Sequence, residues 1–305
     1  MFVSETLALG SAACIALSSM FINELNGRVP LLTLARWQIT AAFVITALAA
    51  TLFGGWATLG SWQVLALAGS GLFGIALAST TYFAAIYSAG PRVTALLFSL
   101  TSPFALLMGY VAFGETINLM QGLGVVLILA GILIAIGVRR RRPAAMIPLS
   151  DGEPIEAPAP GNTLSLTGIA LGVITAFGQA LGSLLARPAM ASGVEPFAAM
   201  AVRSGLAVIF FWALLALPIG RQATRFRSSD FALAVISSFF GTALGMALLM
   251  GALKNGNVGI VSTLSSMTPI MILPMVWLRS RKMPQPAAWG GAALAIAGIA
   301  LMSLA

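Results

Sequence analysis

The chain alternates between long uncharged runs and short stretches that hold charges or clusters of glycine, proline and serine. A helix that crosses a bilayer needs about 20 consecutive, mostly apolar residues. The stretch from Trp37 to Pro91 carries no charge and is too long for one crossing, and the glycine-rich segment 53–61 divides it. The pattern predicts ten spans, near residues 6–23, 31–53, 62–88, 92–113, 118–138, 164–187, 196–218, 230–253, 257–278 and 286–304.

Composition supports a membrane protein. Of the 305 residues, 59% are hydrophobic and only 8% are charged, whereas a soluble domain has about a quarter of its residues charged. The runs are continuous, while a transmembrane β-barrel would alternate apolar and polar positions. The expected fold is therefore an all-α membrane protein.

The second half of the sequence repeats the first at a spacing of 167 residues. Arg36 matches Arg203, and Pro103 matches Pro269 after a slip of one residue. The last spans match through two glycine pairs, Gly124 with Gly291 and Gly131 with Gly298. Five spans per half is an odd number, so the halves must have opposite orientations, as in many secondary transporters. We expect repeats at 1–138 and 164–305, joined by an Arg/Pro-rich linker at 139–163.

Glycine pairs four residues apart occur within single predicted spans. Each pair lies on one helix face and allows close backbone approach. We interpret them as packing positions inside one molecule, so a monomer is expected rather than a dimer. The pairs are Gly168 with Gly172, Gly178 with Gly182, and Gly241 with Gly245.

Basic residues predict the orientation. Alternate loops, those after the odd-numbered spans, hold twelve of the 16 Lys and Arg residues. The opposite loops hold only Arg187 and Lys254. The positive-inside rule places the first set in the cytoplasm, which predicts a multi-pass protein of the bacterial inner membrane with a cytoplasmic linker and periplasmic termini. The net charge of +8 therefore indicates membrane topology rather than nucleic-acid binding.

Several motifs occur in register with this repeat: Arg36 and Arg203 in spans 2 and 7, Gly114-Glu115 after span 4, and Gln121 followed by Gly124 and Gly131. In these features the chain resembles the EamA-type drug/metabolite transporter superfamily, and within it the YddG-type amino-acid exporters. Lys282 departs from the pattern, since it stands where Glu115 stands in the first half.

The resemblance implies alternating access and the export of small neutral metabolites, most of all amino acids, aromatic ones and others such as methionine or threonine. A drug or a phosphorylated or nucleotide-linked metabolite is the alternative substrate class within the superfamily. A membrane-embedded enzyme is a distant alternative, because the chain has no histidine and no acid in the middle of a span. No cofactor or metal is expected, and the expected partners are the small-molecule substrate and the lipid bilayer.

All eight acidic residues fall at the ends of spans or in loops. Proton-coupled carriers generally use a carboxylate or a histidine within the membrane. The sequence therefore favours facilitated transport over proton coupling.

Polar residues at helical spacing predict a central cavity between spans 1, 3, 4, 6, 8 and 9. Such hydroxyl and amide groups suit a neutral or zwitterionic ligand, and Pro103 and Pro269 are expected to break their helices there. Each hydroxyl could instead bond a carbonyl of its own helix. The candidate substrate-binding residues are Ser19, Asn23, Ser79, Tyr82, Ser99, Gln179, Ser183, Thr242, Met246, Ser262, Ser265 and Ser266.

Three basic residues are candidates for anion binding or gating: Arg36, Arg203 and Lys254. The competing interpretation is structural. Long basic side chains near a span end can extend to the interface or neutralise helix-end carbonyls.

Overall fold

The computed structural model describes residues 2–25, 28–82, 84–85, 97–137, 166–216, 227–280 and 286–303. This part of the chain folds into helices and short turns, with no strand. The predicted linker at 139–163 lies outside the described residues. An all-helical fold follows from the solvent, because a helix satisfies its own backbone hydrogen bonds within a hydrocarbon layer.

Eleven α-helices are described, together with short 3-10 segments at Gly55–Thr58 and Leu214–Ala216. They are α1 Phe2–Leu25, α2 Leu31–Leu52, α3 Ser61–Tyr82, α4 Thr101–Phe113, α5 Leu119–Gly137, α6 Leu166–Ala191, α7 Pro196–Ala213, α8 Ser228–Leu253, α9 Val258–Ser265, α10 Thr268–Ser280 and α11 Pro286–Ser303.

Six of the described helices are long and apolar enough to cross a membrane, namely α1, α2, α3, α6, α7 and α8. Shorter apolar helices occur at Thr101–Phe113, Leu119–Gly131 and Trp289–Gly298. The count of ten spans stays a prediction. Within the span predicted at 257–278, a turn at residues 266–267 separates α9 from α10.

Helices from the two halves interleave. The second helices pack together as α2 with α7, and the last helices as α5 with α11. Between these pairs, α1 packs on α8 and α9, while α6 packs on α3, α4 and α9. We call α1, α3, α4, α6, α8 and α9 the central layer. It consists of the helices that the sequence assigned to the cavity.

Glycines join α5 to α11 by backbone contact. A Cβ built on Gly298 would lie 2.6 Å from the carbonyl oxygen of Gly124. A Cβ on Gly131 would overlap the carbonyl oxygen of Gly291 and lie 2.8 Å from the nitrogen of Ala295. Early residues of one helix thus meet late residues of the other, so repeat-related helices run antiparallel, in agreement with inverted repeats.

The glycine pairs of other helices also face neighbours inside the molecule. Gly182 of α6 lies against Gly74 of α3, and a Cβ on it would come 2.5 Å from the Gly74 Cα. In α8, a Cβ on Gly241 would lie 2.8 Å from the Cβ of Ser18. These pairs therefore serve contacts between the two halves.

Replacing Gly131 with alanine should weaken the α5–α11 crossing. The added methyl meets fixed backbone atoms rather than a flexible side chain, and overpacking of this kind costs about 1–3 kcal/mol. We expect a lower melting temperature for purified Gly131→Ala in detergent. Gly290→Ala in α11 is the matched control, because no atom lies within 4 Å of its added methyl. Equal melting temperatures for the two variants would contradict this packing.

Candidate functional site

Two helices of the central layer are interrupted at repeat-related places. A turn at residues 99–100 precedes α4, and the turn at 266–267 separates α9 from α10. Pro103 is the third residue of α4, where a proline removes no intrahelical hydrogen bond. The interruption therefore lies before the proline and not at it. Pro269 holds the second position of α10, and its side chain lies outside the described residues.

Hydroxyl groups join the two interrupted helices. The hydroxyl of Ser102 in α4 forms a hydrogen bond with that of Thr263 in α9. Ser99 and Ser262, both candidate substrate residues, are buried in these same segments. This contact places polar groups of both repeats at one crossing within the apolar interior.

The hydroxyls of two candidate serines form hydrogen bonds with backbone carbonyls of their own segment. Ser265 Oγ donates to the carbonyl of Val261 at 2.9 Å, and Ser266 Oγ donates to the carbonyl of Ser262 at 2.7 Å. Each hydroxyl still has lone pairs that can accept. In the structure both hydroxyls donate to backbone carbonyls four residues earlier. Their role as substrate ligands stays a prediction.

One π-helical turn interrupts each of two helices, α3 at Leu72–Leu77 and α8 at Phe239–Gly245. The two turns begin 167 residues apart, so they are repeat-related. A π-turn inserts one residue and leaves backbone groups incompletely paired, and such turns are frequent at functional sites. Thr242 lies within the second turn, and Met246 directly follows it. The sequence analysis did not predict either turn.

The candidate residues of α3 and α6 lie on packed helices. Tyr82 is half-buried and contacts Phe98 edge to face, with ring centroids 5.8 Å apart. Ser79 and Gln179 are half-buried, and Ser183 is buried. Thr81 and Thr175 share a hydrogen bond of 2.8 Å between these helices. The side chains of Ser19 and Asn23 in α1 lie outside the described residues.

The sequence analysis missed a polar cluster between α1, α2 and α8. Gln38 Nε2 donates to Ser237 Oγ at 2.6 Å, and its backbone carbonyl accepts from Ser238 Oγ at 2.6 Å. Ser18 Oγ donates to the carbonyl of Ser237 at 2.7 Å. The available signal was Gln38 itself, a lone amide in an apolar run. Its repeat counterpart is Gly205, so the amide of Gln38 has no equivalent in the second half.

The three candidate cations have different surroundings. Arg36 is buried, with its guanidinium 5.6 Å from the ring centroid of Trp212. Lys254 is exposed at the end of α8. Arg203 is completely buried in α7, and its nearest polar contacts are two methionine sulfurs. The interface interpretation therefore fits Lys254 and does not fit Arg203.

Glu115 joins three segments at one end of the molecule. We call this the Glu115 end, formed by loop 114–118, Arg187 of α6 and residues 254–258 up to the start of α9. Glu115 Oε2 accepts from the backbone N–H of Val258 at 2.8 Å, at the start of α9. Arg187 Nε lies 3.9 Å from Glu115 Oε1 and donates to the carbonyl of Gly256 at 3.0 Å.

The carboxyl of Glu115 lies outside the helices, in the loop between α4 and α5. Burial raises its pKa above the usual range, while the bond from Val258 and the charge of Arg187 act in the opposite direction. Beside it is a cavity of about 330 Å³. Its lining comprises Phe113, Glu115, Arg187, Pro188, Ala191 and Asn257. An anion at the N-terminus of α9 also interacts favourably with the helix dipole.

Known proteins agree with the repeat and the fold. The EamA-like transporter family model matches the chain twice, over residues 3–137 and 166–304. One solved crystal structure is similar over 99% of this chain and 95% of its own, at 18% identity and a TM-score of 0.76, which establishes a shared fold. No curated protein matches. Because two copies of the family model cover most of the sequence in register with its internal repeat, the chain belongs to the EamA-like transporter family, membrane transporters of the drug/metabolite superfamily.

Proposed function

We propose that this transporter exports small neutral metabolites, amino acids first among them, by alternating access through the central layer. The observation that carries the proposal is the uncharged polar chemistry of that layer. Ser79, Gln179, Thr242 and Ser262 lie on its helices, none of them more than half exposed. Hydroxyl and amide groups can bond both an ammonium and a carboxylate, and Tyr82 and Met246 offer apolar surface to a side chain.

The positions of the acidic residues support facilitated transport in this proposal. Among the described residues, Glu5 and Asp230 occupy first helical turns, Glu24 ends α1, and Glu195 caps α7. Glu115 lies in a loop. None of these carboxylates is in the middle of a helix, where a proton-coupling group would be expected.

The Glu115 end acts in this proposal as the outer gate. The excess of basic residues in the opposite loops supports a cytoplasmic position for those loops and a periplasmic position for the Glu115 end. The contacts of Glu115 and Arg187 join the α4–α5 loop, α6 and the start of α9. All three segments adjoin the central layer, so opening this end requires their separation.

Exchange across proteoliposomes tests the substrate class. We expect saturable uptake of labelled phenylalanine, methionine or threonine into vesicles preloaded with the same amino acid. Tyr82→Ala should raise the KM for phenylalanine about three- to tenfold, because it removes an aromatic contact. Tyr110→Ala is the matched control, since Tyr110 is 61% exposed on α4. Folded protein without exchange above empty liposomes would overturn the amino-acid assignment.

An imposed pH gradient tests the energy source. If transport is facilitated, the initial rate with an inward proton gradient should equal the rate without one, because no described carboxylate lies in mid-helix. The measurement is uptake at fixed internal pH with the external pH varied. Uptake against a concentration gradient, driven by protons alone, would refute facilitated transport.

Removing the gate carboxylate should favour the outward-open state. A hydrogen bond to a charged group contributes about 1.5–3 kcal/mol, so Glu115→Ala should shift the open-to-closed ratio at least about tenfold. The readout is labelling of Ser262→Cys by an impermeant maleimide, in a background with Cys14→Ala. Glu195→Gln is the control, because Glu195 Oε2 accepts from Ala198 within its own helix. Unchanged labelling in Glu115→Ala would exclude this gate.

A further inference from the structure

Arg203 is a buried cation inside the helical bundle. It is the eighth residue of α7 and has no exposed surface. At a rise of 1.5 Å per residue, its Cα lies about 10 Å along the helix from Pro196. A long basic side chain at such a depth would normally extend towards water, and this one remains inside.

One edge of the guanidinium of Arg203 has no partner. Nη1 lies 3.5 Å from the sulfur of Met200 and 3.2 Å from that of Met250, both weak acceptors. Nε and Nη2 are buried without a hydrogen bond. These two nitrogens point their N–H groups to the same side, and that edge matches the two oxygens of a carboxylate.

The protein supplies no counter-charge to this group among its described residues. The ion pairs between Arg28 and Asp230 and between Arg187 and Glu115 lie elsewhere. A buried charge without a partner is strongly unfavourable. The repeat-related Arg36 lies over the ring of Trp212, whereas Ile45 stands at the corresponding position for Arg203. The arrangement at Arg203 is therefore specific to the second half.

The free edge of Arg203 adjoins the crossing of α3 with α6. A Cβ on Gly74, within the π-turn of α3, would lie 2.9 Å from Nη2 and 3.1 Å from the Cα of Gly182. Gly182 immediately precedes Ser183 and lies one helical turn from Gln179, two candidate substrate residues of α6. The glycines bring two backbones together over the guanidinium, so separating these helices would uncover its free edge.

We propose that the Nε/Nη2 edge of Arg203 binds the carboxylate of the transported substrate when the α3–α6 crossing opens. The proposal rests on the amino-acid function above and adds the residue that recognises the acid group. The bound carboxylate supplies the missing counter-charge and two charge-assisted hydrogen bonds. Free inorganic anions share this chemistry, so the experiment includes chloride and acetate as separate arms.

The test compares ligand-induced thermal stabilisation of purified wild type, Arg203→Met and Arg28→Met. Wild type should be stabilised by phenylalanine and not by phenylalaninamide, which keeps the amine and the ring but lacks the carboxylate.

Arg203→Met should lose at least about tenfold in apparent affinity for phenylalanine. Without ligand it should melt no lower than wild type, because an unpaired buried charge is replaced by an apolar side chain of similar length. Arg28→Met, the control, should bind phenylalanine like wild type, because Arg28 pairs with Asp230 away from the α3–α6 crossing.

A second variant makes the test independent of how well Arg203→Met folds. Arg203→Lys keeps the charge and loses the paired donors, so its affinity for phenylalanine should also fall. Equal binding of phenylalanine by wild type and either variant would overturn the proposal. Equal binding of acid and amide by wild type would overturn it as well.

The anion arms separate this proposal from the amino-acid function. One outcome is that no amino acid stabilises wild type, that acetate stabilises it more than chloride does, and that acetate does not stabilise Arg203→Met. In that case the carboxylate site stands and the amino-acid function fails. If chloride stabilises wild type as well as acetate does, Arg203 binds anions without selecting a carboxylate, and the proposal is overturned. If neither the amino acids nor the two anions distinguish wild type from Arg203→Met, the site is also rejected.

Discussion

A hydrocarbon solvent offers no hydrogen bonds, so each polar group within the bilayer depends on the protein for its partners. This constraint selects helices, and it also limits where a helix can be interrupted. In the described structure the interruptions lie in the central layer, at the π-turns of α3 and α8 and at the turns before α4 and α10. Helix α6 packs on the π-turn of α3, and α1 packs on the π-turn of α8. Both π-turns thus lie where the two halves meet.

The same constraint makes glycine the packing residue between the halves. Lipid tails are as apolar as leucine, so helices associate through close contact rather than through burial of apolar surface. Gly131 and Gly298 bring α5 and α11 to backbone contact, and Gly74 and Gly182 do the same for α3 and α6. Both contacts join one half to the other. The interface between the repeats is therefore built largely from main-chain atoms.

Sequence periodicity predicted the helical fold, the repeat and the helices of the central layer. The 167-residue spacing could be recognised because identical residues stand at the positions that match Arg36, Gly124 and Gly131 in the second half. The π-turns could not be read in the same way, since one inserted residue leaves no distinctive composition. Hydroxyls such as Ser265 were ambiguous, because a serine in a helix can bond inward or to its own carbonyl. The free edge of Arg203 depends on three-dimensional packing, which the sequence does not reveal.

The glycine crossing of α5 with α11 has a consequence for how the chain is made. Helix α5 begins at Leu119 and α11 begins at Pro286. At 5–20 residues per second, the ribosome needs roughly 8–33 s to synthesise the intervening segment. Throughout that interval the bare glycine face of α5 has only lipid, the insertion machinery or earlier helices against it. The first half is therefore inserted with an unfinished surface, and its final packing waits until α11 has been translated.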